Sequence, residues 1–169
     1  DITKLEKFMQ GKPISEQEIG KQLLGEVVSY VETSVCRRKF ILHYFGEEFE
    51  AKRCNENCDN CKHPKKQEEA QEEMAMVIQT VVDIKEKFKS KHVINILLGV
   101  GSTQIKSYKH DTLSVFGKGS EKGERYWQSL VRQAVINGFL AKDIENYGLL
   151  KITDAGRAYL AKPTSFMMT

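Results

Sequence analysis

The sequence predicts a mainly α-helical chain with one small β-hairpin, divided into a cysteine-stapled helical hairpin over residues 1–66 and a second unit over residues 67–169. Three observations predict it. All four cysteines fall in one span, Cys36 to Cys61. Apolar residues recur at helical spacing on both sides of that span, through Ile19, Leu23, Val27, Val31 and Val35 before it and Met74, Val77, Ile78, Val81, Ile84 and Phe88 after it. Beyond Gly138, the runs Phe139–Ile144 and Leu149–Thr153 flank the turn Glu145-Asn146-Tyr147-Gly148, the pattern of a two-stranded hairpin.

In the first unit, Ser15 and Glu18 have the spacing of a capping box and Ile14 with Ile19 that of a hydrophobic staple, so a helix is expected from Glu16. Its four-residue apolar steps should form a buried face reaching Cys36. Phe40, Ile41, Tyr44 and Phe45 supply the facing stripe of a second helix that stops at Gly46.

Cys36, Cys54, Cys58 and Cys61 are separated by seventeen, three and two residues. The three close cysteines suit one side of a tetrahedral Zn2+ site, with Cys36 closing it from a neighbouring element. Four thiolates leave no position for a catalytic water, so the zinc is expected to be structural, tying the loop Gly46–Pro64 to the helices before it. Two disulfides would need an oxidising compartment, and no leader is visible. The chain begins at Asp1 without Met, which reads as an excised piece rather than a secreted precursor. Cys58-x-x-Cys61 lacks the strand–helix context of a redox pair, and His43 and His63 are expected to be bystanders.

The polar run His63–Glu73 marks the unit boundary. After the Met74–Phe88 stripe, Val93, Ile94, Leu97 and Leu98 make a second helix ending at Gly99, and Ser120 is expected to cap a third carrying Trp127, Leu130, Val131 and Ala134. Three helices, the hairpin and a short helix over Asp154–Leu160 give the order of a winged-helix domain. That architecture serves both DNA and protein contacts.

The net charge of +3 is too small to establish a polyanionic partner, but Lys87, Lys89, Lys91, Lys106, Lys109, Lys118, Lys122 and Arg125 concentrate base against only Asp111, Glu121 and Glu124. The apolar run Val93–Val100 is far short of the roughly 20 residues a membrane helix requires, so no membrane is expected. No G-x-x-x-x-G-K-[ST] is present, and Gly117-Lys118-Gly119-Ser120 lacks the preceding strand of a nucleotide site. No catalytic constellation stands out.

Cys36-Arg37-Arg38, Tyr44-Phe45-Gly46-Glu47 and the later cysteine triplet resemble the zinc subdomain of RecQ-family DNA helicases. Gly101-Ser102, Phe116-Gly117-Lys118-Gly119-Ser120 and Gly138-Phe139-Leu140 resemble that family's winged helix, the glycine-rich segment more closely its eukaryotic branch, which includes the Bloom and Werner helicases. The likeness covers most of residues 15–161. It implies zinc on the four cysteines and a DNA-binding module from the C-terminal region of an ATP-dependent 3'-5' DNA helicase. ATP and Mg2+ would belong to the motor domain, a partner in cis. The same resemblance implies work in DNA repair, recombination and replication, a nuclear location, and repair proteins as further partners.

Carried over by residue, the resemblance implies phosphate contacts from Ser102, Thr103 and Lys106. They are joined by the amides after Ser120 at the start of the third helix, with Lys118, Lys122, Arg125, Gln128 and Arg132 nearby. In the family the wing hairpin is a wedge at the first base pair. Tyr147 in the turn and Leu149, where some relatives have an aromatic, are the two candidates for it. DNA binding should then favour duplex ends or junctions, show little sequence specificity and weaken with salt. Two other readings stay open. A winged-helix transcription or chromatin factor would read base edges with Arg125, Gln128 and Arg132. A protein-interaction scaffold would use zinc only to hold its shape.

Overall fold

A proline decides where the first long helix starts. In the computed structural model, which describes all of residues 1–169, α1 (Ile2–Phe8) precedes α2 (Ile14–Glu32). Pro13 sits before α2 with φ −53°, preset for helix entry, and its carbonyl accepts the Gln17 amide at 3.0 Å. The helix therefore begins at Ile14 rather than Glu16, Ser15 lies inside it, and the expected capping box does not form. It ends at Glu32, short of Cys36, because Thr33 is extended and its hydroxyl accepts the Val35 amide.

The apolar stripe of α2 is not its buried face. Leu23, Val27 and Val31 are 41, 57 and 65% exposed. The opposite face meets the second unit through polar side chains: Glu18 pairs with Lys89 at 3.8 Å, Glu26 with Lys142 at 3.1 Å and Glu32 with Arg132 at 3.3 Å. In α3 (Arg37–Tyr44) only Phe40 of the predicted stripe is buried, while Ile41, Tyr44 and Phe45 stay exposed. The helix stops where predicted, at Gly46, whose φ of +82° suits a residue without Cβ. A short 3-10 turn (Ala51–Cys54) and α4 (Asp59–Lys62) complete the cysteine loop.

The second unit owns the hydrophobic core, a cluster of 21 buried residues running from Ala70 to Met168. It comprises β1 (Glu68–Glu69), α5 (Gln71–Asp83), α6 (Ser90–Leu98), α7 (Thr103–Ser107), α8 (Glu124–Ile136), β2 (Leu140–Asp143), β3 (Leu149–Ile152), α9 (Asp154–Ala161) and β4 (Met167–Met168). Helix α7 was not predicted; at five residues it is too short to show a period. Helix α8 starts at Glu124 after Gly123, so Ser120 does not cap it; the Ser120 amide instead donates to the Gly117 carbonyl in a preceding turn. β2 and β3 pair antiparallel with Leu140 opposite Ile152 and Asp143 opposite Leu149.

The tail has a structural role. β4 pairs with β1, joining the two ends of the unit, and Met168 is buried. Buried Gln133 of α8 is satisfied there, donating to the Thr169 carbonyl at 3.1 Å and accepting the Thr169 amide at 3.2 Å.

Beside the hairpin, Phe88, His92, Tyr108 and His110 form one aromatic cluster, with the Phe88 ring stacked on His92 at 4.1 Å. The Phe88 carbonyl accepts the Leu150 amide of β3, so the cluster abuts the wing. His92 Nε2 lies 2.8 Å from His110 Nδ1, an arrangement that requires at least one neutral ring. Burial lowers the pKa of both imidazoles, the His110 charge lowers that of His92 further, and the Gln104 side chain partly opposes this. The unfolded chain, titrating near pH ~6.5, takes up protons that the native cluster refuses. Stability from this pair is therefore complete above that pH and lost as pH falls toward the lower native values. The melting temperature of the second unit is expected to be level from pH 8 to 7 and to fall between pH 6.5 and 5, with a shallower fall in His92→Gln. An identical profile for that variant would refute the assignment.

Candidate metal centre and nucleic-acid interface

The four cysteines converge from three local structures. Cys36 occupies the N-terminal cap position of α3, Cys54 closes the 3-10 turn, Cys58 caps α4 and Cys61 lies within it. Asn55 and Glu56 have φ of 49° and 58°, and this pair of left-handed residues turns the chain back between Cys54 and Cys58. All four Sγ atoms lie within 4.8 Å of one another. A tetrahedral zinc with Zn–S bonds of ~2.3 Å needs sulfurs roughly 3.8 Å apart, so the donor set fits with small adjustment.

Neighbouring groups hold this frame. Arg37 donates to both Asp59 oxygens at 2.8 and 2.9 Å and to the Tyr30 carbonyl, with its guanidinium 5.1 Å from the Tyr30 ring centroid. The arginine holds the Asp59 carboxyl down at about 2. Asn60 donates to the Thr33 and Val35 carbonyls, both at 2.8 Å, clamping α4 to the bend before Cys36. Burial raises the Cys36 and Cys61 thiols. At Cys58 burial also acts upward, but the Arg37 and Cys61 amides outweigh it and bring the thiol to about 7. Such a crowded set of sulfurs takes up its anionic form only with a cation to neutralise it. His43 and His63 lie outside the cluster.

The basic candidates divide between two sides of the second unit. Ser102 caps α7, its Oγ accepting the Ile105 amide at 3.2 Å; Thr103 opens the helix and Lys106 lies in its last turn, both exposed. The Lys118–Lys122 loop is stitched to the end of α6, the Gly117 and Gly119 amides donating to the Ile96 and Leu97 carbonyls at 2.8 Å. Gly99 and Gly117, with φ of +76° each, meet backbone to backbone: a Cβ on Gly99 would lie 3.1 Å from Gly117 Cα. Both chain segments therefore leave one contact point, and Lys118, Ser120 and Lys122 are exposed beside it. Trp127 anchors the loop from beneath, donating to the Gly119 carbonyl at 2.9 Å. Arg125 projects into solvent from the first turn of α8.

Gln128 and Arg132 lie elsewhere. Gln128 stands at the rim of a cleft between α2, α3 and α8, and Arg132 points into it, 17% exposed and paired with Glu32. The helix N-terminus expected after Ser120 lies at Gly123–Arg125 instead.

At the hairpin tip, Tyr147 is 38% exposed with φ +63°, and Gly148 packs on α2, where a Cβ would collide with Gln22 Oε1. Asp143 braces the turn, accepting from the Asn146 side chain at 2.7 Å and pairing with Lys151 at 3.0 Å, contacts that lower its pKa. Leu149 is a strand residue opposite Asp143, bridged on its other side to Lys89. Sequence reasoning missed the acidic face of α2. Its signal is the spacing Glu18, Gln22, Glu26, Ser29 and Glu32 on the side away from the apolar stripe. No helix is long and apolar enough to cross a membrane.

Two family models match successive parts of the chain. Residues 1–62 match the RecQ zinc-binding family model and residues 64–169 the RQC domain model. The ATP-dependent DNA helicases RecQ of Pasteurella multocida and Haemophilus influenzae are 33 and 32% identical over 99 and 95% of this chain. The ATP-dependent helicase SGS1 of Saccharomyces cerevisiae is 29% identical over 73%. The chain spans 27 and 26% of the two bacterial proteins and 9% of the yeast one. With the fitting thiolate geometry, the match to the zinc-binding model makes the four cysteines a structural zinc site.

Stripping the zinc with a chelator, or substituting Cys54→Ser, is expected to release hydrogen-exchange protection over residues 33–63. The 70–168 core should keep its melting temperature within a few degrees, since none of its 21 members comes from the cysteine unit. A single concerted transition that moves with zinc content would contradict this.

Proposed function

The chain belongs to the RecQ helicase family as its C-terminal region, a zinc-binding unit followed by an RQC winged helix, and from that premise we propose that it binds duplex ends and fork junctions beside the wing. The observation that carries the reading is the joining of the Ser102–Lys106 turn and the Lys118–Lys122 loop at the Gly99–Gly117 contact. It sets a capped helix start, a hydroxyl and three lysines outside any ion pair, Lys106, Lys118 and Lys122, the last over the Tyr126 ring, on one exposed side of the winged helix, a surface suited to phosphates. Ser102, Thr103, Lys106, Lys118, Ser120, Lys122 and Arg125 carry these contacts.

Tyr147 is the wedge residue in this reading. It stands in the turn rather than in a strand, and its exposed ring suits stacking on an unpaired base, worth about 1–3 kcal/mol. Leu149 supports the turn from β3. The reading of base edges by α8 loses support because Arg132 is committed to Glu32.

The parent protein acts, in this proposal, as an ATP-dependent DNA helicase serving DNA repair. Its motor, which supplies the ATP and Mg2+ chemistry, seats on the apolar outer face of α2 and α3 at Leu23, Val27, Val31, Ile41, Tyr44 and Phe45. Relatives from bacteria and eukaryotes alike match the chain, so its membership is of the family as a whole rather than of the eukaryotic branch, and no compartment follows. The same exposed stripe would serve the scaffold reading, and DNA binding separates the two.

Fluorescence anisotropy on forked, blunt and hairpin-capped duplexes tests the proposal. Expected are a preference for the fork, a steep loss of affinity with salt, and a roughly tenfold weaker fork complex for Tyr147→Ala. Equal affinity for all three duplexes, or a fork complex untouched by Tyr147→Ala, would overturn the binding mode. Absent binding would favour the scaffold.

A further inference from the structure

Helix α2 presents its two faces the reverse way from an ordinary amphipathic helix. Its apolar stripe faces out, while Glu18, Gln22, Glu26, Ser29 and Glu32 share the side turned toward the winged helix. Three carboxylates there meet three cations: Glu18 with Lys89 from the start of α6, Glu26 with Lys142 from β2, and Glu32 with Arg132 from α8. Between them Gln22 rests on Gly148 of the wing turn. The Glu26–Lys142 pair is the most shielded, each side chain 22% exposed; Arg132 is 17% exposed against an open Glu32, and Glu18 is shared between Lys89 and its own helix neighbour Lys21 at 3.4 Å. Their cations are those that would otherwise extend the phosphate-binding surface around α8 and the wing.

We propose that Glu18, Glu26 and Glu32 form an acidic strap that determines which DNA the winged helix accepts. The strap occupies Lys89, Lys142 and Arg132 and covers the cleft side of α8, so the continuous surface of a duplex has no basic helix to lie against. The Ser102–Lys106 turn and the Lys118–Lys122 loop, together with the exposed Tyr147 at the hairpin tip, are left to meet an end or a fork. The strap is made of salt-screened carboxylate pairs rather than apolar contacts, so neutral side chains release it while the core of the second unit is left intact. The inference rests on the DNA-binding reading above and deepens it by naming what imposes the preference for ends.

The test compares the zinc-loaded chain with Glu26→Gln/Glu32→Gln on forked and hairpin-capped duplexes across a salt series. A control, Glu6→Gln/Glu16→Gln, makes the same change in net charge at exposed residues that pair with no cation. The double strap variant is expected to gain about tenfold on the capped duplex, so that the fork preference collapses. Two cations join the phosphate contacts, so its log affinity against log salt steepens by roughly 1 to 2. Adding Arg132→Gln should reverse much of the gain, and the control should move affinity less than about twofold. A capped-duplex affinity and salt slope equal to wild type, or equal gains in strap variant and control, would overturn the strap. Should the double variant fold poorly, Glu32→Gln alone must still shift the fork-to-capped ratio in the same direction. If the wild-type chain binds no DNA, the DNA reading fails by itself; the strap then stands only if the variant gains capped-duplex binding, and falls if it does not.

Discussion

Four cysteine thiolates stand where the first third of the chain would otherwise need a hydrophobic core. Between residues 1 and 66 only Thr33, Cys36, Phe40 and Cys54 are buried, too few to order two helices and a long loop by burial. Zinc coordination supplies that order, and Arg37 and Asn60 transmit it by tying α4 to α2 and to the bend before Cys36. With α2 and α3 held by metal instead of apolar packing, their apolar side chains are free to face outward and their polar side chains to face the winged helix.

Legibility in the sequence followed the strength of the local signal. The cysteine spacing, the stops at Gly46 and Gly99, the wing strands and the core stripe of α8 are written in residues whose chemistry allows few alternatives. Capping patterns were weaker. Ser15-x-x-Glu18 has the form of a cap, but Pro13 had already committed the backbone to helix. Ser120 precedes a glycine, Gly123, that opens α8 three residues later than a cap at Ser120 would. The facing of α2 could not be read at all from periodicity. Spacing shows that a helix has two faces, and only the partner decides which is inside.

The glycines of the second unit link fold to site. Gly99 and Gly117 allow two backbones to touch, and Gly119 leaves room for Trp127, where a Cβ would fall 2.5 Å from the indole Cζ2. Close approach there turns a run that resembles a phosphate loop into the floor of a surface patch. The candidate contacts at Ser102 and Lys118 were nameable only through family resemblance. Their adjacency depends on hydrogen bonds between residues twenty positions apart, which no local pattern encodes.

In the proposed binding mode, DNA meets the winged helix on its α7 and wing side while the cleft side of α8 stays engaged with α2. Hydrogen exchange of the zinc-loaded chain with and without a forked duplex distinguishes this mode from docking along α8. New protection is expected over residues 100–108, 117–125 and 144–149, with residues 128–136 unchanged. Protection concentrated along residues 128–136, with 100–108 unaffected, would contradict it.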